Sequence, residues 1–491
     1  MSFYSSKLNK NILSYLLGGV WSGLLVVVVT PQYVSLLGFE GYGLIGFWMM
    51  MQMLLSICDL GLGSALIREI SDPSFEDVKR CHLIRTLEYI YWPFSIIIIV
   101  GMYLLSSNIA TSWLKLSLYS VNQVSSAIKL MSLALGLQFP CALYSSGLSG
   151  LQFHGRINVL QSVGNTARYI GGVTILYLNP DPVLFFSSQS IFALIQTLFT
   201  RWLLTRAISV QSHISPRFSI LLLSRMWKFS TGMALTMIAG VLLSNVDRIF
   251  ISKLLSAEDL GRYTLAFTAT GLLQMGIQPF YRVYFPKLSE LFKSKQICAL
   301  RIEYYKGCKL VSLLIVPVTI LSYAFAPEIF TIWTGKLDRD VVKIFRLLLL
   351  GITCSGLAWL PAAFQQACGW TKLHAAMIWG ALFIGTPIMF LTVKQWGAAG
   401  ATFVWVLHGM TDITLGLWLM HKRLLKGELI LWYRKTLFMP TLCCLPIVVF
   451  SWFFLPLEFS DLENFLWITA TAIIIIIVSS YFVKKYQWLS I

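Results

Sequence analysis

Apolar runs recur along the whole chain, and at roughly 20 residues each is long enough to cross the hydrocarbon core of a bilayer. A water-soluble fold has nowhere to put them. Of 491 residues, 57% are hydrophobic and only 12% charged, and the mean hydropathy is +0.73. Soluble domains carry about twice that charge. The chain therefore reads as an all-α polytopic membrane protein, because a helix satisfies its own backbone polar groups within lipid. About fourteen spans are expected, near 12–36, 41–66, 88–107, 124–149, 158–178, 183–205, 229–254, 260–283, 308–333, 341–367, 373–393, 396–420, 437–457 and 463–483. Several hold a proline (Pro31, Pro140, Pro279, Pro317, Pro361, Pro387), tolerated in a membrane where neighbouring groups re-satisfy the freed carbonyl.

Orientation follows from the basic residues. The net charge of +17 needs no nucleic-acid partner, because cytoplasmic loops of membrane proteins are rich in Lys and Arg. With the N-terminus placed inside, the inner segments and flanks hold about 26 of these residues and the outer ones about 8, four of them between 336 and 346. Both termini are then cytoplasmic. The opening segment is too long for a cleaved signal peptide and carries no small-residue cleavage site.

Several functions are excluded by what the loops lack. None exceeds about 30 residues, so no soluble catalytic or nucleotide-binding domain fits, an enzyme is not expected, and no Walker-type G-x-x-x-x-G-K-[ST] occurs. The nine cysteines are scattered, mostly within apolar runs, without C-x-x-C pairs or metal-ligand spacing to histidine; no metal and no cofactor are expected. Gly41–Gly46 does match G-x-G-x-x-G, but it follows a membrane helix rather than a strand, outside the βαβ unit that gives the pattern meaning.

That glycine stretch has a different significance. Glu40-Gly-Tyr-Gly43 and Glu258-Asp-Leu-Gly261 are both E-x-x-G in a short outer hairpin between spans, so the first and seventh spans end alike. Two like-oriented six-helix bundles are expected, at 1–207 and 229–421, joined by a cytoplasmic linker at 208–228 and followed by an additional helix pair at 437–484. An even span number per half gives a pseudo-twofold axis along the membrane normal, the plan on which rocking bundles perform alternating access. The motif's glutamate reads as an N-cap or loop carboxylate.

Four stretches carry a resemblance: YVSLLGFEGYGLIGF (33–47); CDLGLGSALIREIS (58–71), with Asp59, Gly61 and Arg68; NVDRIFISKLLSAEDLGRYTLAF (245–267); and QPFYRVYFPKLSEL (278–291), with Pro279 and Pro286. On these the chain resembles the polysaccharide transporters of the multidrug/oligosaccharidyl-lipid/polysaccharide exporter superfamily, above all the Wzx-type O-unit flippases. Fourteen spans exceed the twelve of many members, which brings lipid-II-type flippases into view. The resemblance implies a flippase that turns an undecaprenyl-diphosphate-linked oligosaccharide from the inner to the outer leaflet of the bacterial inner membrane, for O-antigen or capsule. It implies ion-gradient coupling, and as partners membrane lipids, a polysaccharide polymerase and a chain-length regulator. The drug antiporters of the same superfamily are the nearest rival; a polymerase or ligase would need a larger outer loop.

A flippase for such a cargo needs a cationic, wettable cavity between its halves. Charges deep in a span cost about 2.5–3.5 kcal/mol on insertion scales and normally face a bundle interior. Arg168, mid-span in SVGNTARYIGG, heads a stripe with Asn165, Gly164, Gly171 and Gly172. It is a candidate diphosphate ligand or one arm of an interhelical salt bridge. Asp247 and Arg248 point about 100° apart, as gate, inter-half ion pair or substrate contact. His408 and Asp412, i and i+4, form a candidate proton site or a packing pair. Asp59 is a second proton or gate candidate. Gln274 and Gln278 are one turn apart and suited to sugar hydroxyls or a neighbouring helix. Lys129, Lys309 and Arg346 lie near expected span ends and read as interfacial.

Overall fold

The computed structural model describes residues 2–72, 76–208, 217–456 and 459–485. Among them there are eighteen α-helices and no β-strand; one isolated bridge pairs Lys115 with Ser256. The chain is a polytopic membrane protein, and ten helices are by themselves long and apolar enough to cross a membrane. Each of the fourteen expected segments lies mainly on helical chain. Residues 209–216 of the expected linker lie outside the described residues.

The chain divides into two compact units, Met1–Gly261 and Arg262–Ile491. The first holds α1 (Ser2–Leu55), α2 (Leu62–Ile70), α3 (Asp77–Asn108), α4 (Val121–Gly150), α5 (His154–Leu178), α6 (Pro182–Ala207), α7 (Ile220–Leu243), α8 (Val246–Leu254) and the start of α9 (Ala257–Lys293). Helix α4 is its axis, packed against α3 and α6, while α5 runs along α1. Leu66, Leu87, Tyr91, Leu143, Tyr144, Leu148 and Leu204 make a closed core. Ile96, Ile97 and Leu104 on α3 stay exposed, an apolar face suited to acyl chains.

The breaks in these helices do not fall at the prolines. Pro31, Pro93 and Pro140 all lie inside helices, away from any break. The chain kinks instead at Gly38, whose φ of 69° and ψ of 177° suit glycine. It breaks again at Leu60–Gly61, both left-handed, and at Ser244–Asn245 between α7 and α8. The expected outer hairpin at 40–43 is therefore corrected: Gly38 alone makes the kink, and Glu40 and Gly43 are already helical.

The two E-x-x-G motifs meet reciprocally. A Cβ built on Gly43 would lie 2.0 Å from the Ala257 carbonyl oxygen, and one on Gly261 would lie 1.9 Å from that of Phe39. Each glycine thus packs on the carbonyl four residues before the other, an approach that admits no side chain. The Glu40 carboxylate serves as a loop anchor. It accepts from the backbone N–H of Ser117, Leu118 and Tyr119 at 3.0–3.3 Å, and from Ser117 Oγ at 2.7 Å. Burial, with Glu40 and Asp181 nearby, pushes the Tyr119 phenol up to about 12.

The second unit is built around α12 (Arg339–Ala367), packed on α10 (Ile297–Ala324), α13 (Thr371–Ala401) and α14 (Phe403–Thr411). Short α11 (Ala326–Thr334) connects α10 to α12. Asp338 caps α12, accepting from the N–H of Asp340 and Val341. Beyond α15 (Leu417–Leu424) and α16 (Leu429–Trp432), α17 (Met439–Phe453) and α18 (Asp461–Lys485) pack on α10 and α11 through Phe325, Cys444, Val448 and Ile475.

Candidate functional site

Arg168 lies near the middle of α5 and, with Asn165, lines a cavity of about 160 Å³. Tyr33, Trp48, Gln52 and Gln189 share the lining, and every lining residue falls between 26 and 189. This cavity lies inside the first unit. The glycines of the stripe allow the packing around it: a Cβ at Gly171 would meet Phe192 of α6 at 2.5 Å, and one at Gly172 would meet Tyr33 Oη at 2.8 Å.

Amides surround the guanidinium. In the orientation its neighbours require, the Gln138 side-chain oxygen accepts from both terminal nitrogens of Arg168, and the Gln52 amide adjoins that of Gln138. Gln189 Nε2 donates to the Arg168 backbone oxygen at 3.4 Å, and Asn165 Nδ2 reaches Ser22 Oγ at 3.5 Å. Arg168 Nε is buried without a partner. Among the described residues no carboxylate ion-pairs with it, so the salt-bridge alternative finds no acid. Neutral amides orient a cation without cancelling its charge, and a buried charge left so is costly unless water or an anion reaches it. The volume is below the roughly 300–1,000 Å³ of pockets for drug-sized ligands. In this conformation it suits water and a phosphate-sized anion rather than a sugar chain.

Asp59 sits in a 3-10 turn between α1 and α2 rather than in a continuous span. Its carboxylate accepts from Tyr91 Oη and, at 3.2 Å, from Gly63 N. A second carboxylate, Glu88 of α3, is buried and accepts at 2.8 Å from Arg85, Arg201 Nε and Tyr144 Oη. It ties α3, α4 and α6 together, and the expected span starting at 88 gave no hint of it.

Asp247 and Arg248 are fully buried just past the α7–α8 break. Asp247 Oδ1 accepts from the Arg248 backbone N at 2.7 Å, and Arg248 Nη2 donates to Ser244 O at 3.3 Å. Gln274 is half-buried and Gln278 exposed on α9; neither makes a side-chain hydrogen bond among the described residues.

The structure brings His408 and Asp412 together. Nε2 of His408 lies 3.5 Å from Asp412 Oδ2, with both side chains mostly buried. His408 Nδ1 is buried without a partner. Asp412 opens a π-helical turn, Asp412–Gly416, between α14 and α15, an irregularity common at functional sites.

One interfacial assignment is corrected. Lys309 is fully buried, because α10 starts at Ile297 and carries this position into the packed interior, not to a span end. Lys129 stays half-buried, its ammonium 5.1 Å from the Tyr103 ring centre. Arg346 donates to the Tyr323 and Ala324 carbonyls at 2.9 and 3.2 Å. Gln52, Gln138 and Gln189 were the residues missed around Arg168; their polarity within apolar runs was the available signal.

Comparison with known proteins places this geometry. A family model described as "Polysaccharide biosynthesis protein" matches residues 8–292. Two relatives are each named "Putative O-antigen transporter". The one in Shigella flexneri is 24% identical over 83% of this chain and 98% of its own length; the one in Salmonella typhi is 20% identical over 80% and 92%. Among solved structures, a lipid II flippase MurJ in an inward closed conformation superposes with a TM-score of 0.68 at 15% identity, covering 99% of this chain and all of its own. An inward-facing multidrug resistance MATE family transporter of the MOP superfamily gives 0.69 at 13%, covering 82% and 94%. The fold is thus that of the MOP transporters expected from the four quoted stretches.

Proposed function

The chain belongs to the polysaccharide biosynthesis protein family, and we propose that within it this protein is a flippase for lipid-linked oligosaccharide. It turns undecaprenyl-diphosphate-linked repeat units from the inner to the outer leaflet of the bacterial cytoplasmic membrane, for O-antigen or related surface polysaccharide. The observation that carries the reading is Arg168, a mid-helix cation that lines a cavity and is held by amides instead of a carboxylate. A diphosphate supplies the charge that the protein leaves out, and the planar guanidinium meets its oxygens in pairs. The two relatives named as O-antigen transporters support the cargo class.

Alternating access of two six-helix bundles, 1–207 and 229–421, is the mechanical part of the proposal, and the reciprocal Gly43–Gly261 packing supports the pseudo-twofold it needs. His408 with Asp412 is the proposed proton site, with Asp59 and Asp247 as gate groups and Arg248, Asn165, Gln274 and Gln278 as further cargo contacts. Both termini are cytoplasmic, and a polymerase and a chain-length regulator take over the product. A second reading, a lipid-II-type flippase, is favoured by one observation: the MurJ superposition covers the whole chain, α17 and α18 included.

Deleting the gene in its own strain tests the proposal. Lipid-linked repeat units should pile up on the inner leaflet and long-chain surface polysaccharide should vanish, both restored by re-expression. A deletion strain that still displays long chains with no such pile-up contradicts it. Loss of peptidoglycan precursor export instead would favour the second reading.

A further inference from the structure

Arg339, Lys343 and Arg346 stand at i, i+4 and i+7 of α12, so all three side chains rise on one helix face. They form one wall of a cavity of about 390 Å³, which Tyr323 at the end of α10, Pro327 of α11 and Leu337 close from the other sides. No acid lines it. Asp338 is turned away, bonded to Arg262 at 3.0 Å and to its own helix start. Arg346 is fixed by its two carbonyl bonds, with its guanidinium 5.1 Å from the Tyr323 ring centre. Arg339 and Lys343 are exposed, and among the described residues neither makes a hydrogen bond or an ion pair.

Position adds to charge. These are three of the four basic residues at 336–346 that run against the inner bias of Lys and Arg. From Arg339 to Arg346 the helix rises about 10 Å at 1.5 Å per residue, which carries the cations from the helix start toward the headgroup–acyl boundary. Exposed Leu337 and the half-buried lining residue Leu347 present apolar surface beside them. A cavity with cations on one wall and acyl-compatible surface next to it fits an amphipathic anion better than a free one.

We propose that this cavity is a binding site for the phosphate headgroup of an anionic lipid, at the membrane face that the charge bias assigns as outer. Arg346 and Tyr323 form its fixed floor, and Arg339 and Lys343 are the arms that close on the phosphate. Two sources share this chemistry: a resident phospholipid with one phosphate, or the diphosphate of the cargo lipid on its way out, the latter resting on the flippase reading above.

The test uses the full chain, purified, delipidated and titrated by native mass spectrometry with phosphatidylglycerol, zwitterionic phosphatidylcholine and undecaprenyl diphosphate. The variant is Arg339→Gln/Lys343→Gln, which removes no protein–protein bond; Lys343→Gln alone serves if the double variant does not purify, with an intermediate loss. The double variant should bind phosphatidylglycerol about thirtyfold more weakly, the scale of two surface cations on an anionic lipid, and phosphatidylcholine nearly unchanged. On an Arg168→Ala background, a loss of undecaprenyl diphosphate in the double variant larger than that of phosphatidylglycerol assigns the site to the cargo; an equal or smaller loss assigns it to a resident lipid. Unchanged phosphatidylglycerol affinity, or an equal loss for both phospholipids, overturns the proposal. Arg168→Ala leaves the phosphatidylglycerol binding intact, so failure of the flippase reading and failure of this site are separable.

Discussion

Arg168 in the first unit and the His408–Asp412 pair in the second are both ionisable groups held mid-helix, yet they are satisfied in opposite ways. Arg168 receives one amide oxygen and has a buried Nε with no partner. His408 also has a buried nitrogen without a partner, Nδ1, but its Nε2 meets a carboxylate one turn away on the same stretch of helix. A cation offered only neutral dipoles keeps its charge for something that arrives from outside. A histidine and a carboxylate already in contact can trade a proton without any outside ion. Under the proposed function the contrast would separate cargo recognition from coupling, and it can be attacked from either side.

The largest effect is expected at Arg168. Arg168→Ala should reduce transport about a hundredfold, on the scale of a lost charge-assisted bidentate contact near 3 kcal/mol, read as surface polysaccharide against accumulated lipid-linked units. Arg168→Lys keeps the charge but loses the fork, and should recover only part of the transport. If the alanine variant displays polysaccharide at wild-type levels, Arg168 has no part in recognition.

Gln138→Glu breaks the contrast directly by giving Arg168 the carboxylate it lacks. Transport should fall about tenfold while thermal stability holds or rises, since a buried cation gains a counter-charge. Full transport by this variant would mean that the unneutralised charge is irrelevant.

In the second unit, Asp412→Asn should slow transport about tenfold, short of the hundredfold or more that a positioned proton-transfer group contributes to a chemical step, and flatten its dependence on an imposed pH gradient. Cargo binding should be untouched. A pH-gradient response identical to wild type in both Asp412→Asn and His408→Ala would reduce the pair to helix packing.

Glu40 supplies the control, a carboxylate saturated by backbone. Glu40→Ala should lower the unfolding transition by a few degrees, consistent with about 1–3 kcal/mol for donors left unmet, and change transport least of all.

Local relations were legible in the sequence. The apolar runs foretold an all-helical membrane fold, and the i, i+4 spacing foretold the His408–Asp412 contact. Relations between helices were not. Gln138 comes to Arg168 from 30 residues away and Gln52 from far earlier, and nothing in their local pattern aims them there. The prolines stay inside helices as expected, and the kink and breaks come at Gly38, Leu60–Gly61 and Ser244–Asn245, where backbone torsion and packing decide. Lys309 was misplaced for a related reason: hydropathy marks where lipid contact begins, while α10 begins 12 residues before that lysine.

The most direct measurement is the affinity of the purified full chain, in nanodiscs, for undecaprenyl diphosphate, compared between wild type, Arg168→Ala and Gln138→Glu. The account predicts a loss of about a hundredfold for the first variant and about tenfold for the second, following the removal and the neutralisation of one charge. Equal affinity in all three proteins would contradict it.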